Sequence, residues 1–280
     1  MPAFGNTPYR IETLANQGRI DVKRFLSALA ASVVLAVAAG TGTSLADDKL
    51  RIGVEGAYPP FSWKEADGTI KGFDIDIAMA LCEKLARECE LVEQDWDGMI
   101  PALLAKKFDA IIASMSITDE RKKRVDFSVK YYNTPAMFVV AEGSGLEISP
   151  EGLAGKAIGV QRGTTHQCFM EKIYPDADLR LYATQDEVFL DLASERLDAQ
   201  FSDSLQAKEG FLGTDAGKGF AFAGGPQYDR ECHGEGAGIA VRKGEDDLRE
   251  AFNAAIDAIR EDGTYKAIND SYFDFDVYGG

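Results

Sequence analysis

Short apolar segments alternate with segments of helical periodicity from residue 50 onward. Leu50–Val54 ends at a turn rich in Gly and Pro, which predicts a strand, and Asp67-Gly68 predicts a turn. Other predicted strands are 91–94, 108–113, 136–140, 156–160, 179–182, 198–201 and 239–241. One predicted helix begins at about residue 74, and its inward residues are Ile75, Ala78, Met79, Cys82 and Leu85. A second covers 96–106 with Ile100, Leu103 and Leu104 inward. Further helices are predicted after Gly163, over 186–195, over 248–261 and, as a short last one, up to Tyr272.

This alternation of strands and helices is typical of an α/β fold with parallel sheets. The pattern occurs twice, before and after residues 131–135. Two α/β units in one chain predict two lobes, and the cleft between them is the natural place for a ligand.

The first 46 residues differ from the rest. Lys23 and Arg24 precede a 15-residue apolar run from Phe25 to Ala39, and small residues follow it up to Ser44-Leu45-Ala46. A basic start, a short apolar core and a small-x-small end predict a secretory signal peptide over 1–46, and the run is short for a membrane span. Since residues 1–21 are polar and unpatterned, translation from Val22 is an alternative start.

The net charge excludes one class of partner, and the cysteine content permits disulfides. Without residues 1–46 the chain keeps 26 basic and 44 acidic residues, a formal net charge of −18. Such a chain does not bind nucleic acid through bulk charge. In an exported protein its four cysteines permit disulfides. Cys82 and Cys89 can pair only if the helix between them ends early, because seven helical residues span about 10.5 Å. The spacing of Cys168 and Cys232 does not decide whether these two cysteines form a disulfide or stay free.

The segment 109–121 is the richest in candidate chemistry. A buried strand leads to Ser114 and Ser116, whose alternate positions predict that their hydroxyls point the same way. Thr118 has the pattern of a helix N-cap. Arg121 then lies at the positive end of a helix dipole, where a compensating anion is expected. A ligand carboxylate and a local pair with Glu120 both satisfy this pattern.

Two further segments place polar groups where strands end. Thr164, Thr165 and His166 follow a strand and a Gly, and such a helix start either binds an anion or is simply capped. Asp203 follows an apolar strand and is either a helix cap or a carboxylate for an ammonium group.

A third group of candidates combines an acid with aromatic side chains. Glu55 and Tyr58 follow the first strand, and Trp96 begins a helix. An acid with two aromatic faces can hold a long cationic side chain, although the same residues also fit simple packing at a rim.

With these residues the chain resembles the periplasmic binding proteins for polar amino acids, especially the lysine/arginine/ornithine- and histidine-binding members. The resemblance covers 47–280. Its strings are RIGVEGAYPPF at 51–61, GFDID at 72–76, AIIASMSIT at 110–118, GTY at 263–265 and YFDFDVY at 272–278.

The resemblance implies an α/β fold of two lobes, each a mixed sheet flanked by helices. Lobe one would comprise 47–132 and 237–280, lobe two 137–227, and the hinge segments 133–136 and 228–236. It also implies a disulfide between Cys82 and Cys89. The residues themselves predict no metal and no cofactor, because the chain has only two His, no His/Cys cluster with zinc spacing and no cofactor motif.

The resemblance further assigns roles around the ligand. Arg121, with Ser116 and the Thr164–Thr165 amides, would hold an α-carboxylate beside His166. Asp203, with the backbone or hydroxyl of Ser114 and Ser116, would hold the α-ammonium group. Tyr58 and Trp96 would enclose the ligand side chain, and Glu55 would meet its tip. Departures from the family pattern are Glu55 for a common Asp, Trp96 for Phe, Ala113 for Ser and His166 for Gln.

The function implied is a monomeric, non-enzymatic periplasmic protein that delivers an amino acid to the membrane permease of an ABC importer. Lysine, arginine or ornithine is the expected ligand, with histidine also compatible. An opine and, on the same fold, a dehydratase-like activity are the alternatives.

Overall fold

The computed structural model describes residues 49–279. The predicted signal peptide lies outside these residues. Within residues 49–279, the chain forms strands and helices in regular succession. The strands are β1 (Leu50–Val54), β2 (Ala57–Tyr58), β3 (Ser62–Lys64), β4 (Ile70–Lys71), β5 (Cys89–Glu93), β6 (Ala110–Ile111), β7 (Val125–Tyr132), β8 (Ala136–Ala141), β9 (Ala157–Gln161), β10 (Asp178–Tyr182), β11 (Ala199–Asp203), β12 (Phe220–Gln227) and β13 (Ala237–Arg242). The helices are α1 (Phe73–Lys84), α2 (Met99–Leu104), α3 (Asp119–Lys122), α4 (Pro150–Leu153), α5 (Thr165–Ile173), α6 (Gln185–Ala193), α7 (Ser204–Ala207), α8 (Arg230–His233), α9 (Asp246–Glu261) and α10 (Thr264–Tyr272).

Two five-stranded sheets of the same plan organise the chain. Their strand orders are β5-β1-β6-β13-β7 and β10-β9-β11-β8-β12. We call each sheet with its helices a lobe, lobe one for the first and lobe two for the second. In each, three strands are parallel and follow one another through helices, whereas β13 in lobe one and β8 in lobe two run antiparallel to a central strand. The sheets are therefore mixed, as the family resemblance implies, and the parallel strands predicted from the helix–strand alternation form three of the five strands in each.

The chain crosses between the lobes twice. It leaves lobe one after β7, builds all five strands of lobe two, and returns through α8 to β13. The exact lobe and hinge bounds given above stay a prediction. The two connections link the sheets of the two lobes, and the cleft lies between these sheets.

Each sheet is covered on both faces by apolar side chains, as the apolar strands predict. In lobe one Ala110 and Ile112 pack with α1 and α9, while Ile111 and Ala113 pack with α2 on the other face. The predicted inward residues Ile75, Ala78, Cys82 and Leu103 are buried. Met79 and Leu104 are exceptions at 47% and 42% exposed, and Ile77, Leu81, Met99 and Ala102 are buried in addition.

Both cysteine pairs form disulfides. Helix α1 ends at Lys84 and Ala86 adopts a left-handed conformation, so the chain turns back and brings Cys82 and Cys89 to a Cα separation of 6.1 Å. The implied Cys82–Cys89 bond is thus present. The pair that spacing left open, Cys168 and Cys232, joins α5 to α8. Among the described residues, no helix has both the length and the apolar character needed to cross a bilayer.

Candidate functional site

A cavity of about 700 Å³, which includes the space open to solvent at its mouth, lies in the cleft between the lobes. All ten residues singled out from the sequence line it. They are Glu55, Tyr58, Trp96, Ser114, Ser116, Arg121, Thr164, Thr165, His166 and Asp203. Residues that the sequence did not single out, among them Tyr132, Thr134, Gln161, Tyr228 and His233, complete the lining.

Arg121 is held at the start of α3 by its own helix. The Thr118 side chain accepts a hydrogen bond from the Arg121 amide at 3.2 Å, which confirms the predicted N-cap. The guanidinium donates to the Ser116 carbonyl at 3.0 Å and to the Gly163 carbonyl at 3.3 Å. Burial lowers the pKa of Arg121 to about 10, which leaves it charged at neutral pH.

No carboxylate of the described residues lies within 4 Å of Arg121. The local alternative, Glu120, pairs instead with Lys123. The guanidinium centre sits 5.2 Å from the Trp96 ring, so the ring face covers one side of it. A positive charge that is turned into a cavity and bound only by neutral carbonyls attracts an anion.

The N-terminus of α5 faces the same part of the cavity. Thr164 is its N-cap and accepts from the Gln167 amide, while its hydroxyl donates to the Gln161 carbonyl at 2.7 Å. Thr165 and His166 follow in the first turn and are buried. Burial lowers the pKa of His166 to about 3, so this imidazole is neutral at physiological pH. The cap and the anion-binding interpretation are compatible here, because a capped helix start still presents amides to the cavity.

Asp203 serves as a helix cap and as part of the cavity wall. Its Oδ1 accepts from the amides of Leu205 at 2.8 Å and Gln206 at 3.1 Å, which confirms the N-cap of α7. Its Oδ2 accepts from the Thr134 hydroxyl. Burial raises the pKa of Asp203 to about 6. Since Oδ2 has room for another donor, the cap does not exclude a role toward an ammonium group.

The Ser114 hydroxyl is committed to a neighbour within lobe one. It donates to Asp74 at 2.8 Å, and the Ser114 amide donates to the Tyr131 hydroxyl at 3.0 Å, which in turn donates to Asp74. Ser114 has a φ of +54°, so the regular alternation expected for Ser114 and Ser116 is broken. Asp74 is fully buried, and burial raises its pKa to about 7. Only the Ser114 carbonyl is left free of these bonds.

Glu55 marks another end of the cavity. It follows β1, is 7% exposed, and accepts a hydrogen bond from Gln161 Nε2 of lobe two at 2.5 Å. Burial raises the pKa of Glu55 to about 7, and the Gln161 bond only partly offsets this. No Lys or Arg of the described chain lies within 4 Å of Glu55, Asp74 or Asp203, so the cavity carries carboxylates that lack a cationic partner.

The aromatic walls come from lobe one. Tyr58 stacks at a centroid distance of 5.9 Å on Phe61, which stacks on Tyr132 at 4.6 Å. This row of rings packs into the core of lobe one, and Tyr58 and Tyr132 form its edge in the cavity. Trp96, in a single 3-10 turn before α2, forms another wall. The rings offer flat apolar faces for a methylene chain between the charged groups.

Three polar contacts across the cleft show that the lobes are closed on each other. Besides the bonds of Gln161 to Glu55 and of Arg121 to Gly163, Arg162 of lobe two donates to Asp97 of lobe one at 2.8 Å. All three use the connection from β9 to α5. The end of β9 and this connection are therefore one part of lobe two that meets lobe one beside the cavity.

His233 adds a donor that sequence reasoning missed. Its Nδ1 accepts from the Asp229 amide at 3.0 Å, which places the ring proton on Nε2, and Nε2 has no partner among the described residues. The ring centroid lies 6.2 Å from that of His166. A sequence signal existed, because the chain has only two histidines and each lies near a cysteine of the α5–α8 disulfide.

Comparisons with known proteins agree with this architecture. Residues 50–275 match the family described as bacterial extracellular solute-binding proteins, family 3. The L-arginine-binding protein of Pseudomonas aeruginosa is 52% identical over 256 residues, which span 91% of this chain and 97% of that protein. The lysine/arginine/ornithine-binding periplasmic protein of Escherichia coli K12 is 42% identical, over 92% of this chain and all of that protein.

A solved structure shows the same likeness in three dimensions. A periplasmic binding protein of Salmonella typhimurium with high arginine specificity superposes with a TM-score of 0.75 at 34% identity. The superposition covers 80% of this chain and 99% of the other.

Proposed function

Because the chain belongs to the family 3 bacterial extracellular solute-binding proteins, we propose that it encloses a free basic L-amino acid between its lobes and delivers it to the permease of an importer. It acts as a monomer in the periplasm, and it binds its ligand without chemical change. Arginine is the first expected ligand, followed by lysine and ornithine.

The observation that carries this proposal is the charge pattern of the cavity. One guanidinium, Arg121, lacks an acidic partner, and two carboxylates, Glu55 and Asp203, lack a cationic one. A basic amino acid carries one carboxylate and two cations, so its three charges match these three groups. Burying any of its charges without a partner costs several kcal/mol, which selects against a ligand with a different pattern.

In this arrangement Arg121 and the amides at the start of α5 hold the α-carboxylate. Asp203 accepts from the α-ammonium group, with the Ser114 carbonyl close by. The methylene chain runs along Tyr58 and Trp96, and Glu55 meets the cationic tip.

The site is completed by closure. Lobe one supplies Arg121, Glu55 and the aromatic walls, and lobe two adds Asp203 and the start of α5. A ligand that binds lobe one and then contacts lobe two favours the closed arrangement by its differential affinity, and a permease can recognise that arrangement.

The relatives support the ligand class. The similar proteins of Pseudomonas aeruginosa and Escherichia coli are named for arginine and for lysine, arginine and ornithine. They are binding proteins, in line with the non-enzymatic function proposed here.

The test is a thermal-unfolding screen of the purified protein, stripped of bound ligand, against arginine, lysine, ornithine, histidine, citrulline and opines. A ligand present at 100 times its Kd stabilises the native state by about 2.7 kcal/mol, which raises the Tm measurably. We expect the basic amino acids to raise it most and calorimetry to rank arginine first. A response only to opines, or to none of these compounds, contradicts the proposal.

A further inference from the structure

Within residues 49–279, Gln161 is the side chain of lobe two that donates a hydrogen bond to Glu55, the acid at the tip end of the cavity. It is the last residue of β9, and its side chain is 2% exposed. Its Nε2 donates to Glu55 Oε1 at 2.5 Å and to the Ala183 carbonyl at 3.2 Å. Glu55 is 106 positions away in sequence and belongs to lobe one.

The two partners fix which end of the amide faces Glu55. Both the carboxylate and the Ala183 carbonyl are acceptors, so only the NH₂ group satisfies them together. Ala183 directly follows β10, the strand next to β9. The amide is therefore anchored within lobe two, and it reaches across the cleft with its orientation already set.

We infer that Gln161 is a positioning residue that determines specificity: it holds the Glu55 carboxylate toward the cationic tip of the ligand, and it does so only when the lobes are closed. This inference rests on the proposed function and deepens it. A cation at the tip then strengthens the closed state in a way that a neutral tip of the same shape cannot, because only the ionised carboxylate accepts a charge-assisted bond on both sides.

The surroundings of Glu55 make this support necessary. Asp74, Asp95 and Asp186 lie near it and disfavour its ionised form, as burial does, whereas the Gln161 bond favours it. Without the amide, the carboxylate loses a donor and becomes neutral at a higher pH. A neutral acid offers little to a guanidinium.

The test compares Gln161→Leu with wild type, using arginine and citrulline as probes in titration calorimetry. Citrulline carries a neutral ureido group where arginine has its guanidinium, so the α-groups and methylene chain are matched. A hydrogen bond to a charged group contributes about 1.5–3 kcal/mol, so arginine affinity should fall roughly 10- to 100-fold. Citrulline affinity should change by less than about threefold, since its tip makes no ion pair.

Gln200→Leu is the matched control. Gln200 is a fully buried glutamine of the same lobe, bonded to Gln185 rather than to a cavity residue. Any general loosening of lobe two by the loss of a buried amide should then affect both ligands equally and leave their affinity ratio unchanged. A second readout is the pH profile: the midpoint of arginine affinity should move to higher pH in Gln161→Leu but not in Gln200→Leu.

The outcomes separate the inference from the function beneath it. If wild type does not bind arginine, the proposed function fails. If wild type binds arginine but Gln161→Leu weakens arginine and citrulline equally, Gln161 has a structural role only and the inference is overturned. Gln161→Asn, which keeps the amide but shortens its reach by one methylene, is measured alongside and should show the same selective loss even if the leucine variant folds poorly.

Discussion

The affinity for a basic amino acid should depend on pH between 6 and 8, a range in which exposed carboxylates do not titrate. Burial raises the pKa of Glu55 to about 7 and that of Asp203 to about 6. A cationic ligand binds the ionised forms, so binding releases the proton that an empty site holds. The sign follows directly: affinity rises with pH through these pKa values and falls below them.

The magnitude can be worked from these values. With a pKa of about 7, Glu55 is roughly nine-tenths ionised at pH 8 and one-tenth ionised at pH 6, which lowers the affinity about tenfold, or ~1.4 kcal/mol. Asp203 adds a further factor of about two over the same range. Arginine affinity should therefore fall roughly 20-fold from pH 8 to pH 6.

The ratio of arginine to citrulline affinity isolates Glu55. Asp203, whose pKa is also raised by burial, acts at the α-ammonium group that both ligands share. Its titration therefore cancels in the ratio. The ratio should fall about tenfold from pH 8 to pH 6, as measured by titration calorimetry at constant ionic strength.

Glu55→Gln provides the decisive comparison. It keeps the shape of the side chain but removes its charge, so arginine affinity at pH 8 should fall about 30-fold or more while citrulline is largely unaffected. The ratio should then be independent of pH. A pH-independent ratio in wild type, or an unchanged slope in Glu55→Gln, would refute the assignment of Glu55 to the cationic tip.

Three further perturbations test other parts of the structure. Arg121→Ala should weaken every amino acid by about 3 kcal/mol or more, basic and neutral alike, in calorimetry, because the α-carboxylate is left without its counter-charge. Replacing both Cys168 and Cys232 with Ser should reduce the free energy of unfolding in urea by about 4 kcal/mol, since their loop spans 64 residues, against about 2 for the seven-residue loop of the other disulfide. Arg162→Ala should leave Kd within about fivefold and act mainly on the dissociation rate in stopped-flow measurements, because its pair with Asp97 is exposed.

Much of the fold was predictable because its signals are local. Apolar strands such as Leu50–Val54 and caps such as Thr118 depend on neighbours within a few residues, and both were predicted correctly. The family resemblance and the two-lobe α/β fold are also confirmed. Strands β7 and β12 were missed. Two adjacent glycines interrupt the pattern of β12, whereas β7 alternates apolar and polar residues from Val125 to Tyr131, a strand signal that was overlooked.

The site divides in the same way. Arg121, Glu55 and Asp203 could be found because each follows a strand or cap that delivers it to a predictable edge of a sheet. Gln161 could not be found in this way, because its hydrogen bond to Glu55 crosses the cleft to a residue 106 positions away in sequence. The direction of the Ser114 hydroxyl could not be predicted for a related reason: a left-handed backbone conformation turns it to the buried Asp74, and the local sequence pattern gives no sign of that conformation.

The disulfide between α5 and α8 can form only in an oxidising compartment. Thiols stay reduced in the bacterial cytosol, so an exported chain acquires this cross-link only on reaching an oxidising compartment. The cross-link fastens the helix that begins at Thr165 to the segment by which the chain returns to lobe one. With the periplasmic location proposed above, the chain in the cytosol would lack this cross-link, which helps to hold the start of α5 in lobe two, and it would be easier to keep unfolded than the oxidised protein.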